Sequence, residues 1–253
     1  MKKAVVFDVD GTLSESKEPV DPVTANLLYQ LLAKKKVGII SGGGLAQMKK
    51  QVLDHLPADA DRFENLFLFP EKGGAMYCWN GDDWARIYEK PLAPEDRNAI
   101  RTAFKKVSTG VDFLPSEHFG PVFEDLGAEV TFSALGQHAP IMEKKPWDPD
   151  AKKRERLKAL LEPLLPDFEI EIGGTTSINI TKKGVDKAFA LEEFCRREHL
   201  SIADVLYIGD AIYPGGNDFS VTRTGVDTAI VKDYNETKAI IRKIIEGAYE
   251  NEI

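Results

Sequence analysis

The sequence predicts an α/β protein built on a parallel sheet with helices on both faces, interrupted by an inserted α+β unit. Three observations carry this expectation. At both ends of the 253-residue chain, short apolar runs alternate with stretches of helical apolar spacing, the grammar of strand–helix–strand units. The first run, Ala4-Val5-Val6-Phe7, ends directly in Asp8-Val9-Asp10-Gly11, and open α/β sheets gather their polar groups at the carboxyl ends of parallel strands. Between residues 82 and 184 the alternation gives way to closely spaced strand patterns. The core is therefore expected over 1–81 and 185–253, with a separate insert over 82–184.

The first run reads as a buried strand because it is apolar throughout rather than alternating. A helix is expected over 22–35, where Leu27, Leu28, Leu31 and Leu32 form one stripe. Lys34, Lys35 and Lys36 close it, reading as solvated cations at the negative end of the helix dipole. Val37-Gly38-Ile39-Ile40 is the second strand, followed by Ser41-Gly42-Gly43-Gly44 and a helical pattern through Met48, Val52 and Leu53. A third strand, Leu66-Phe67-Leu68-Phe69, stops at Pro70. The insert is expected to run from a strand near Trp84 through a helix over 94–107, strands near Val122 and over 130–135, a helix over 149–161, and strands over 168–172 and 177–180. A helix through Leu191 and Phe194, the strand Val205-Leu206-Tyr207-Ile208, a loop over 209–218, a strand over 226–231 and a C-terminal helix complete the core.

Composition fits a globular protein, with 43% hydrophobic and 29% charged residues. No run approaches the roughly 18 apolar residues of a membrane span, so no membrane partner is expected. Only four apolar residues separate Met1-Lys2-Lys3 from Asp8, which is too few for a secretory signal and makes the cytoplasm the expected location. Cys78 and Cys195 are far apart and read as reduced core thiols. A net charge of -8 argues against nucleic acid as a partner, so an anionic substrate needs local cations or a metal to hold it. A homodimer stays open.

Asp8 and Asp10 carry the sharpest chemical signal. If strand alternation continues, both leave the backbone on the same side, near enough to share one ion and one phosphoryl group. Asp and Gly are also common turn formers, and D-x-D-G also opens a calcium loop, although Pro19 stands where such a loop needs its closing glutamate. Ser41 faces a glycine run whose N–H groups could cradle a phosphate, or simply turn the chain. Lys187 opens a helix, where its charge opposes the dipole; a phosphate partner would explain it, as would plain solvation. Gly209-Asp210 and Gly215-Gly216-Asn217-Asp218 follow an apolar strand, and their carboxylates opposite Asp8 and Asp10 would give the oxygen-rich set that Mg²⁺ prefers, unless the loop is only rich in turn formers.

Taken in order, Asp8-x-Asp10-Gly11-Thr12, Ser41, Lys187 and Gly209-Asp210 with Gly216-Asn217-Asp218 resemble the four motifs of the haloacid dehalogenase superfamily of phosphotransferases. The insert resembles the large α+β cap, the C2b type, of its Cof and sucrose-phosphatase-like branch, subfamily IIB. Over nearly its full length the chain is similar to the eukaryotic-type phosphomannomutase family. Shared features include Val5-Val6 leading into Phe7-Asp8-Val9-Asp10-Gly11-Thr12-Leu13, Phe69-Pro70-Glu71, Ile172-Gly173-Gly174 before Ser177, and Pro214-Gly215-Gly216-Asn217-Asp218. The resemblance implies a Rossmann-like core, a bound Mg²⁺ and an aspartyl-phosphate intermediate. It makes Asp8 the nucleophile and Asp10 the general acid and then base. It gives the metal to Asp8, the Asp10 carbonyl and Asp210, with Asp218 in support, and the phosphoryl oxygens to Ser41, Gly42 and Lys187. Lys17, Ser177, Asn179 and Asn217 would touch the substrate.

Departures from the mutase pattern bear on the acceptor. No arginine occurs between Arg101 and Arg154, where a mutase cap grips a second phosphate. Lys17 stands near the arginine expected after the first motif, Gln137 replaces one after Leu135-Gly136, and Asn179 replaces an aspartate. Lysine is a weaker substitute for a bidentate arginine, though Lys144 and Lys145 could partly compensate. Ser41 also precedes its glycines, where the mutases place the serine after them. These losses favour water as acceptor. The sequence therefore leads to a Mg²⁺-dependent phosphatase acting on a small phosphorylated metabolite, a sugar phosphate, with a phosphohexomutase as the alternative. A metabolite-binding module with a decayed site has no support, since all four motifs are intact.

Overall fold

The structure is a computed structural model and describes residues 2–58 and 60–249. The chain divides into two compact units, Met1–Glu89 with Asp186–Ile253, and Lys90–Val185.

The first unit is built on seven strands in the order β11-β10-β1-β2-β3-β4-β5. In chain order these are β1 (Ala4–Phe7), β2 (Lys36–Ile40), β3 (Leu66–Phe69), β4 (Ala75–Trp79), β5 (Trp84–Glu89), β10 (Val205–Gly209) and β11 (Asp227–Ile230). The first five in sheet order run parallel, while β4 and β5 add as antiparallel hairpin strands at one edge. Strand alternation divides the buried side chains between two layers. Val5, Phe7, Ile39, Leu66, Leu68, Leu206 and Ile208 pack with helices α1 (Pro22–Leu32), α2 (Leu45–Gln51) and α7 (Tyr234–Glu246). Ala4, Val6, Ile40, Phe67, Phe69, Val205 and Tyr207 pack with α6 (Lys187–Arg197) through Ala190, Leu191 and Phe194. A fully buried Leu or Phe contributes roughly 1.5–3 kcal/mol, so these layers fix the strands whose ends carry the polar motifs.

Helix α1 starts where its sequence says it should: Asp21 accepts from the Thr24 N–H at 2.8 Å and Pro22 supplies a preset φ. It ends at Leu32, three residues before the expected end, because the chain must turn to begin β2 at Lys36. Lys36 is accordingly a strand residue paired with Glu198, not a solvated helix-closing cation. Lys34 caps the C-terminal turn of α7 by donating to the Ile245 carbonyl at 2.6 Å.

Sequence patterning missed β4. Its apolar run Ala75-Met76-Tyr77-Cys78-Trp79 shows no alternation, and it follows two glycines that read as a loop. Trp84–Glu89, expected to open the insert, is instead β5 of the large sheet, because it pairs along β4 from Ala75↔Glu89 to Trp79↔Trp84.

The second unit contains a four-stranded antiparallel sheet in the order β6-β7-β9-β8. Its strands are β6 (Phe123–Asp125), β7 (Glu129–Ser133), β8 (Phe168–Ile172) and β9 (Ser177–Lys182). One face, with Val130, Phe132, Phe168, Ile170, Ile178 and Ile180, packs on α3 (Pro94–Ser108) and α5 (Lys152–Leu161). The short helix α4 (Ile141–Trp147) was not expected: Pro140 precedes it and Pro146 lies within it, and exposed Ile141 and Met142 leave no apolar stripe to find. Among the described residues, no helix is long and apolar enough to cross a membrane.

Candidate active site

The ends of β1 and β10 and the first turn of α6 meet around a buried cluster of charge. Asp8 follows β1, and its N–H donates to the Ile208 carbonyl at 3.1 Å, which keeps the strand pairing in force up to the functional residue. Alternation then turns its carboxylate towards the α6 layer. There the Lys187 ammonium donates to Asp8 Oδ1 at 2.5 Å and to Asp218 Oδ1 at 2.6 Å, with Asn217 Oδ1 at 3.5 Å. Asp8, Lys187 and Asp218 are all buried. Lys187 is held at the start of α6 because Asp186 caps the helix, accepting from the Phe189 N–H at 2.9 Å, and Arg223 in turn pairs with Asp186. This answers the question raised by a lysine at a helix N-terminus: its charge is engaged by two carboxylates that outweigh the dipole.

Asp218 is itself fixed by two further donors. Tyr207 donates its hydroxyl to Oδ1 at 2.5 Å, and the Ala211 N–H donates to Oδ2 at 3.1 Å. A Cβ on Gly209 would come within 2.5 Å of Asp218 Oδ2, so only glycine leaves room for this carboxylate. Gly11 performs the same service for Asp210, whose Oδ2 lies 2.5 Å from where a Cβ would stand, and its φ of +88 is one that other residues rarely adopt. Thr12 Oγ1 reaches Asp210 Oδ1 at 3.4 Å.

Electrostatics are dominated by burial and like charge. Burial raises the Asp8 carboxyl; Lys187 pulls it down, but Asp218 and Asp210 add to the rise, and the result is about 8. Asp210 is raised by burial and by Asp218. Burial opposes the charge on Lys187, yet Asp218 and Asp8 more than offset that and hold it above the lysine range. Tyr207 is raised by burial and by the same carboxylates, so it serves Asp218 as a neutral donor.

Asp8, Asp210 and Asp218 each offer a carboxylate oxygen, all within 4.8 Å of one another. Three carboxylates against one ammonium leave an excess of negative charge, and Asp8 Oδ2 is buried with no hydrogen-bond partner among the described residues. A hard divalent cation fits this set, since it would satisfy the orphaned oxygen and offset the surplus charge.

Asp10's carboxylate is not part of that group. Its Oδ1 accepts from the Lys17 N–H at 2.7 Å and from Gln51 Nε2 at 3.0 Å, drawing it towards α2 while Asp8 turns to α6. Gln51 was not singled out in the sequence, and only its place on the buried side of a short helix hints at a role. Lys17 meets Asp10 through its backbone, in a left-handed conformation with φ 64. Ser41 directly follows β2, buried, and its Oγ accepts from the Gly43 N–H at 3.0 Å. That N–H is therefore not free to cradle an anion, while the serine hydroxyl still has its own proton to donate. Gly42 lies between the two.

In the second unit, Ser177 and Asn179 lie on β9, opposite Ser133 and Thr131 of β7. Gln137, at the position of an expected arginine, donates to the Thr131 carbonyl at 3.2 Å. Arg154 is buried against Asp148 at 2.8 Å and donates to the Gly173 carbonyl at 3.1 Å and to that of Gly174.

A parallel sheet with an aspartate at the end of its central strand, a buried lysine opposite and an acidic loop after the neighbouring strand define a protein of the haloacid dehalogenase superfamily. The model of the eukaryotic phosphomannomutase family matches residues 24–247, and the chain belongs to that family. It is 28% identical over 227 residues to a phosphomannomutase of Encephalitozoon cuniculi, covering 87% of this chain and 84% of that one. The Saccharomyces cerevisiae phosphomannomutase is 25% identical over 222 residues, covering 86% and 84%. The fold is similar to that of the IMP-bound IMP-nucleotidase of Plasmodium falciparum, with a TM-score of 0.68, 16% identity and coverage of 97% of this chain and 68% of that one.

Proposed function

We propose that this protein is a phosphohexomutase, moving a phosphoryl group between hydroxyls of a hexose phosphate by way of Asp8. The observation that carries the reading is the family match over residues 24–247, which takes in the insert and nearly all of the core after the first strand and its aspartates. Asp8 attacks the phosphorus, the bond from phosphorus to the sugar oxygen breaks, and an aspartyl-phosphate forms. Asp10 donates the proton that the departing sugar oxygen needs, and takes one from the hydroxyl that later attacks the aspartyl-phosphate. Both bonds that hold Asp10 fall on Oδ1, which leaves Oδ2 for that proton. Ser41 and Lys187 hold the phosphoryl oxygens. Lys187 also masks the negative charge that would repel an incoming phosphate. Mg²⁺, held by Asp8 and Asp210 with Asp218 behind them, would supply further charge neutralisation and orientation at this oxygen-only site. The insert, residues 90–185, is the unit assigned to substrate selection, with Ser177 and Asn179 as its contacts, while Lys17 and Asn217 are the substrate contacts assigned to the core.

A second reading, phosphate release to water, is favoured by one observation. The stretch from 102 to 153 contains no arginine, Gln137 stands where one is expected, and Arg154 is committed to the Asp148 carboxylate and three backbone carbonyls. Each charge-assisted contact to a dianion is worth roughly 1.5–3 kcal/mol, so losing two would weaken retention of a bisphosphate by about a hundredfold or more. A phosphorus NMR time course with a hexose 1-phosphate, Mg²⁺ and a hexose bisphosphate separates the readings. Interconversion of 1- and 6-phosphates faster than release of inorganic phosphate is the expected result; the reverse order would assign the chain to the hydrolases.

A further inference from the structure

Directly after β3 and Pro70, three successive residues take left-handed backbone conformations: Glu71 at φ 54, Lys72 at φ 56 and Gly73 at φ 94. Only the third is a glycine, and both charged residues are buried. For an L-residue with a Cβ this conformation costs on the order of 1–2 kcal/mol, so two in a row persist only where the surroundings demand them. The surroundings are the phosphoryl-gripping groups. The Glu71 N–H donates to the Gly43 carbonyl at 3.0 Å and the Lys72 N–H to the Ser41 carbonyl at 2.8 Å. On its other side the turn presses on α6, since a Cβ on Gly73 would come within 2.5 Å of the Ala190 Cβ. That helix begins at Lys187. Tyr88 closes the turn from outside, donating to the Gly73 carbonyl at 2.9 Å.

We infer that the left-handed turn Glu71-Lys72-Gly73 is a positioning element: it sets the Ser41–Gly43 loop and the start of α6 in register, so that the serine hydroxyl and the Lys187 ammonium meet one phosphoryl group. The inference rests on Ser41 as a phosphoryl contact. A relaxed turn could satisfy a chain reversal alone. What it could not do is aim two adjacent N–H groups at two carbonyls of the same loop while its third residue lies flush on the helix.

The test is a series at one position. Glu71→Gly, Glu71→Ala and Glu71→Val all remove the same carboxylate, so differences among them report on the backbone, which glycine adopts freely, alanine reluctantly and valine least. Calorimetric affinity for inorganic phosphate in the presence of Mg²⁺ should fall from Gly through Ala to Val by about tenfold in all, the equivalent of the conformational cost. A turn with a merely structural role would shift melting temperatures along the series and leave phosphate affinity equal in all three, and that result overturns the inference. Should the valine variant not fold, hydrogen exchange on the unmodified protein decides: saturating phosphate should slow the Glu71 and Lys72 amides at least tenfold, and unchanged exchange there also overturns it. Absence of any phosphate binding by the unmodified protein would remove the phosphoryl reading itself, a failure distinct from equal affinities in the series.

Discussion

Asp8 is a carboxylate that the fold does not allow to ionise alone. Its pKa of about 8 arises from burial and two neighbouring carboxylates, against which Lys187 is insufficient. In the unfolded chain the same group titrates near 3.8, so the folded state holds the proton more tightly, and stability is lost as pH rises from about 4 to about 8. The raised Lys187 does not interfere in that window, since its contribution is lost only above the ordinary lysine range. EDTA-treated protein should therefore melt progressively lower between pH 5 and pH 8, and Mg²⁺ should raise the melting temperature more at pH 8 than at pH 5. Asp210 is raised by burial and by Asp218 and contributes in the same direction, so Asp8→Asn should show a markedly shallower profile rather than a flat one; the same slope in that variant would assign the effect elsewhere. At this scale the sequence was informative where chemistry restricts residue type: Asp8, Lys187 and the pair Asp210 and Asp218 converge from three separate stretches. It was silent on Tyr207 and Gln51, because a tyrosine in an apolar strand and a glutamine in a short helix have many ordinary uses.

At the scale of elements, glycines decide how closely carboxylates can approach strands. Gly209→Ala would place a methyl group 2.5 Å from Asp218 Oδ2 and should destabilise the protein by about 1–3 kcal/mol, with weaker Mg²⁺ binding as the second readout. An alanine variant with unchanged melting temperature and metal affinity would mean that the loop from 210 to 218 has room to shift. In the second unit, Arg154→Ala strands the buried Asp148 carboxylate and releases the Gly173 carbonyl, and should cost about 3–5 kcal/mol by denaturant unfolding. The parallel strands were legible because burial on both faces makes them uniformly apolar. Strand β4 was not, since it has the composition of a core run and the flanking glycines of a loop, although its hairpin with β5 closes over only Asn80-Gly81-Asp82-Asp83. The left-handed turn at Glu71 and Lys72 was hidden for a related reason: nothing in two charged residues announces a backbone held against its preference.

For the whole molecule, the family relationship and the residues of the insert pull in different directions. Membership of the phosphomannomutase family spans both units, whereas the insert carries no arginine from 102 to 153, the side chain that grips a second phosphate most strongly. Both readings pass through the same first half-reaction, so the central claim is the covalent step at Asp8 rather than the identity of the acceptor. Its most direct measurement is intact-protein and peptide mass spectrometry after rapid acid quench of the protein with Mg²⁺ and a hexose bisphosphate. The account predicts a mass gain of one phosphoryl group confined to the peptide carrying Asp8 and absent from Asp8→Asn, whose turnover should fall by on the order of a thousandfold or more. Turnover without a phosphorylated enzyme, or a phosphoryl group on any other residue, would contradict it.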